Sequence, residues 1–171
     1  MSETKPQELK ITESGIVIAA IYLPMLFERL KVIDADQKTI VDPTKAVQTL
    51  NYLCIGSFEQ PSISPLANII CNRKPDESTP KESVLSDEEK ETIDALIQVI
   101  IVSWQGIENS SIDQFRGNWF MRNGILHSNE EGWSLAVEKR PYDILLRQAP
   151  FNFSIVQLPW MEKPLNVTWE F

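Results

Sequence analysis

Trp133–Trp169 reads WSLAVEKRPYDILLRQAPFNFSIVQLPWMEKPLNVTW, and these 37 residues decide the fold class. Trp133, Leu135 and Val137 alternate with Ser134, Ala136 and Glu138, the period of two expected of a half-buried strand. Phe153 and Ile155 repeat that period, and so do Leu165, Val167 and Trp169. Between the first two strands Pro141 starts a helix and Pro150 ends it. The order is therefore β-α-β-β, with the last two strands joined by the proline-bracketed loop Leu158 to Pro164.

Working back from Gly124, the period lengthens from two to 3.6 and the chain reads as helices. Ser86 with Glu89 forms a capping box, and Ile93, Leu96, Ile97, Ile100, Ile101 and Trp104 then trace one apolar stripe. Ser111 with Gln114 repeats the box for a helix through about Arg122. Asp42-Pro43 and Ser64-Pro65 are N-cap and first-turn pairs, opening helices that run to Gly56 and to about Cys71. Ile16 to Val32 reads as a helix that Pro24 kinks or splits. The expected architecture is α+β: an N-terminal bundle of about five helices, then a small antiparallel sheet built by the β-α-β-β unit. Residues 1–14 read as a flexible polar tail, and residues 15–171 as a single domain with a mobile loop at 72–85, where apolar anchors are scarce.

Composition narrows the function. A 171-residue chain with 43% apolar and 23% charged residues matches one globular domain. Its net charge of −8 argues against nucleic acid and against anionic lipid as partners. The apolar run Gly15 to Phe27 has 13 residues, short of the ~20 that span a bilayer, and reads as a buried core helix rather than a signal peptide. Cys54 and Cys71 lie in apolar contexts without CxxC spacing, as buried thiols of a reducing compartment do.

No constellation for catalysis, cofactor or metal stands out. His127 is the single histidine, placed in a turn with no nucleophile elbow to serve. The six glycines are scattered singly, so no phosphate cradle is present. Asp87-Glu88-Glu89 complements a helix N-terminus, and Glu130-Glu131 occupies a hairpin-like turn. Interaction candidates are the loop residues Leu158, Pro159, Trp160 and Met161, together with Glu138, Arg140 and Asp143. Prolines stiffen that loop, and tryptophan is favoured at interface hot spots. The alternative keeps Trp160 folded over the sheet edge as part of the core. Likewise Glu138 or Arg140 either pairs with Asp143 or faces a partner.

Four blocks carry a resemblance. Val137-Glu138-Lys139-Arg140, Asp143, Leu145-Leu146, then Leu158-Pro159-Trp160-Met161 and Val167-Thr168-Trp169 resemble the C-terminal signature of contractile injection system tape measure proteins. Gly15–Leu30 (GIVIAAIYLPMLFERL), Lys45–Gly56 (KAVQTLNYLCIG) and Ser110–Gly124 (SSIDQFRGNWFMRNG) are similar to that family's upstream segments, in the same order. The resemblance implies a non-enzymatic assembly protein of a phage-tail-like secretion machine, without cofactor. Its implied partners are inner tube, baseplate hub or spike proteins, in the cytoplasm during assembly or carried in the extracellular particle. The alternative is a free-standing adaptor or chaperone that captures a partner through the Pro-Trp-Met loop. One continuous helix of this length would reach only about 260 Å, and a folded domain about 40–50 Å. The chain is therefore expected to be either a fragment of a longer ruler or a short member that anchors or nucleates.

Overall fold

The computed structural model describes residues 7–56 and 61–171. Five strands form one sheet: β1 (Glu8–Ile11), β2 (Gly124–Asn129), β3 (Gly132–Val137), β4 (Ile155–Val156) and β5 (Leu165–Thr168), in the order β1-β2-β3-β5-β4. The β1-β2, β2-β3 and β4-β5 pairs are antiparallel, whereas β3 and β5 run parallel, with Leu135 opposite Val167. The sheet is thus mixed, not antiparallel as the sequence suggests. The reason is topological: the chain leaves β3 through a helical crossover, lays β4 at the outer edge, and returns with β5 between the two.

The N-terminus supplies a second departure. Glu8–Ile11, within the stretch read as a tail, pairs with β2 and buries Ile11 on the core face. Residues 1–6 of that tail lie outside the described residues.

The helices begin where the caps place them. Asp42 accepts from Lys45 N at 3.1 Å to start α2 (Pro43–Ile55), and Gly56 ends it at φ 75°. α3 (Pro65–Ile70) follows Ser64. Both capping boxes are formed, at Ser86/Glu89 for α4 (Asp87–Ser103) and at Ser111/Gln114 for α5 (Ile112–Phe115). Pro24 splits its segment: Ser14–Tyr22 is a 3₁₀ helix buried on nearly every side, and α1 (Leu23–Arg29) starts with the proline in its first turn. The helix read through Arg122 is α only as far as Phe115, and Arg116–Phe120 widens into a π-helical turn. Pro141–Gln148, the crossover, is a 3₁₀ helix.

Residues 72–85 are irregular, but buried side chains hold them. Gln48 donates to the carbonyls of Pro80 (3.0 Å) and Glu82 (2.8 Å) and accepts from Val84 N. Asn68 donates to the carbonyls of Pro75 and Glu77. Both amides are fully buried, so polar contacts tie this loop to α2 and α3, with buried Leu85 as an apolar anchor at its end.

Candidate functional site

The most concentrated chemistry lies where Arg122, after the π-helical turn, meets Asp143 of the crossover helix. Two parallel bonds join them, Nη2 to Oδ1 at 2.6 Å and Nη1 to Oδ2 at 2.7 Å, and both side chains are wholly buried. Asp143 Oδ2 also accepts from the backbone N–H of Arg140 and the indole N–H of Trp169, each at 2.9 Å. Arg122 directs its other donors to the carbonyls of Asn118 (2.9 Å) and Glu138 (3.1 Å). The rings of Trp119, Tyr142 and Trp169 surround the guanidinium at 5.1–5.2 Å. Burial pushes the Asp143 carboxyl up, but Arg122, the Arg140 N–H and the Trp169 indole outweigh it and hold its pKa below the ordinary aspartate value.

A widened helical turn leaves carbonyls without intrahelical partners, and arginines fill that need. Arg140 donates to the carbonyls of Gly117 (3.1 Å) and Met121 (3.0 Å), and Tyr142 Oη donates to that of Asn118. At the other end of the same turn, Arg116 donates to the carbonyls of Leu53 and Tyr52 at the C-terminus of α2, and to Asp94 of α4 at 2.9 Å. Three arginines thus clamp one turn, Arg116 to the helical half and Arg122 and Arg140 to the crossover. Two glycines permit the approach: a Cβ on Gly15 would overlap the Trp119 carbonyl, and one on Gly124 would strike the Ser14 hydroxyl.

The loop candidates turn inward. Trp160 is 4% exposed, stacks on Phe27 at 5.2 Å and 26°, and donates its indole N–H to Ile70 O at 2.8 Å. Met161 and Leu158 are buried beside it, and only Pro159 of the four is exposed. Glu138 is exposed with its carboxylate 3.5 Å from Arg140 Nε, and Arg140 is half-buried. Of the two local pairings considered for Asp143, neither supplies the charge partner: Arg140 offers only its backbone N–H, and Arg122 provides the guanidinium. Arg122, Trp169 and Arg116 were not among the sequence candidates. Their signal was present, because both arginines fall in Ser110–Gly124 and Trp169 closes the last block.

Each block is in fact the contact partner of another. Phe27 of the first meets Trp160 of the last, the α2 carbonyls of the second meet Arg116 of the third, and Arg122 of the third meets Asp143 and Trp169 of the fourth. A family model for contractile injection system tape measure proteins matches residues 1–169. The chain belongs to this family. No curated protein and no solved structure matches it.

Membership in the tape measure family gives the chain a structural role in a contractile injection system. The Arg122–Asp143 cage suits that role as a folding staple: neither side chain is exposed, so no substrate reaches it. Elsewhere, His127 lies half-exposed with Nδ1 4.0 Å from Glu8, and Cys54 and Cys71 are free thiols whose burial pushes their pKa up. Among the described residues no group of three metal-ligating side chains converges, and no helix is long and apolar enough to cross a membrane.

Proposed function

We propose that this chain is an assembly component that associates with the inner tube or baseplate hub of a contractile injection particle and fixes how the tube is started or terminated. The match over residues 1–169 carries the reading, because it takes in all four blocks and the contacts that join them. The geometry supports a rigid module: a helical half and a mixed sheet are locked by two buried arginines, as a part docked into a repeating tube must be. With Trp160 stacked on Phe27 and bonded to Ile70, and Met161 buried, the adaptor reading loses its exposed apolar anchor.

The test is mass spectrometry and electron microscopy of particles purified with and without the gene. The expected result is the protein in wild-type particles or their assembly intermediates, and absent or aberrant tubes in its absence. Normal particles of normal length from the deletion strain would overturn the proposal.

A further inference from the structure

Among the described residues β1 is an edge strand, and its outer side faces a groove. Ser128 N donates to Gln7 O, so Gln7, Leu9 and Ile11 direct their backbone groups at β2. Glu8 and Lys10 consequently direct theirs outward, where among the described residues no backbone group pairs with them. Two cavities, of 320 and 470 Å³, share Ile63 and Pro65 as a wall and together follow the strand from Gln7 to Glu13. The facing wall includes three prolines, Pro61, Pro65 and Pro75, which have no N–H to offer the strand.

Two further observations describe what would lie there. Asn51 lines the larger cavity at 2% exposure, and among the described residues its amide nitrogen finds no acceptor. Lys10 and Lys81 line the same cavity together with Glu13, while Glu8 and Asp76 line the smaller one. The groove therefore carries two lysines, one carboxyl and the Asn51 amide at one end and two carboxyls at the other, a net excess of donors facing a net excess of acceptors.

We infer that the free edge of β1 takes an extended segment of a protein partner as a sixth strand, with an acidic residue at the Asn51 end and a basic residue at the Asp76 end. The two lie about four residues apart, the span from Glu8 to Thr12 along the strand. Main-chain pairing with Glu8 and Lys10 supplies affinity, and the polarised ends fix the direction in which the segment lies. An open strand edge otherwise invites unspecific pairing, and the charges of Glu8 and Lys10 discourage that in the free chain. This inference rests on the reading that the partners are proteins of the particle.

The test uses the full chain and short synthetic peptides tiled across the tube, baseplate hub and spike proteins of the contractile injection system of the same cell. Fluorescence polarisation should find binding among peptides that carry the acidic and basic residues at that spacing. Glu8→Pro removes one outward N–H and leaves the β2 ladder intact, so it should weaken binding at least about tenfold relative to Glu8→Ala, at an unchanged melting temperature. In the unmodified protein the amides of Glu8 and Lys10 should exchange rapidly when free and slowly at peptide saturation. Absence of binding by every peptide, or binding that leaves both amides in fast exchange, would overturn the groove. If Glu8→Pro still enters particles as the wild type does, the groove is wrong and the assembly reading stands. If wild-type protein never enters particles or their intermediates, the assembly reading fails independently of any peptide result.

Discussion

Asp143 and Glu13 are two carboxyls placed in opposite circumstances. Asp143 is completely buried, yet guanidinium, amide and indole donors hold its pKa down. Glu13, at the end of the β1 groove, accepts from the hydroxyl and N–H of neighbouring Thr12 but meets no cationic donor among the hydrogen bonds of the described residues, and burial pushes its pKa up. The difference teaches that burial alone does not set the state of a charge; the number of donors aimed at it does. One region is satisfied internally and rigid. The other keeps Asn51, Glu8 and Lys10 partly unsatisfied, as a surface awaiting a partner does.

The sharpest way to break that comparison is to remove the charge from the cage. Asp143→Asn leaves Arg122 buried and unpaired and should cost about 3–5 kcal/mol in denaturant unfolding. The pH dependence follows from the depressed pKa. The stability that Asp143 contributes is fully present above its ordinary value of 3.8 and is lost as pH falls through the lower folded-state value. The wild-type advantage over Asp143→Asn should therefore narrow only below about pH 4. A constant gap down to pH 2 would mean that packing, not the ion pair, stabilises the site.

Trp160→Ala tests whether the proline-bracketed loop belongs to the satisfied region. Losing the stack on Phe27 and the bond to Ile70 should cost about 3–4 kcal/mol. A variant of unchanged stability that fails to assemble would return Trp160 to the role of interface anchor.

Gln48 gives a smaller and more local effect. Gln48→Leu removes three bonds to residues 80–84 and should cost about 1–3 kcal/mol, with limited proteolysis of that loop faster than in wild type. Equal rates of cleavage would show that the segment is already open in the native protein.

The sequence made legible those features whose causes are local. Both capping boxes, the proline starts of α2 and α3 and the stripe from Ile93 to Trp104 depend on neighbours within a few residues, and all are present. β1 was missed because Glu8-Leu9-Lys10-Ile11 is short and half charged, and becomes a strand only when β2 offers a ladder more than a hundred residues away. The parallel β3-β5 pair and the Arg122–Asp143 bond are likewise non-local: periodicity says which face is buried but not which strand lies beside which. Asp143 is legible as a local pairing candidate for Glu138 or Arg140, whereas its actual partner is hidden because an arginine at a helix end usually faces solvent.

Glu13→Gln is the subtlest perturbation and bears directly on the less satisfied region. Because the folded-state pKa is raised, protonated Glu13 stabilises the fold below its ordinary value of 4.5, and this contribution is lost as pH rises through the folded-state value. At neutral pH wild type therefore holds a carboxyl whose charged form burial disfavours. Glutamine keeps the acceptor for Thr12 and removes the charge, so the variant should melt slightly higher than wild type at pH 7 and no higher at pH 4. A uniform rise at both values would assign the gain to packing. A fall at pH 7 would mean that the carboxylate already has a cation, with Lys10 and Lys81 of the same cavity the nearest candidates, and the groove would then be less ready for an acidic partner than its geometry suggests.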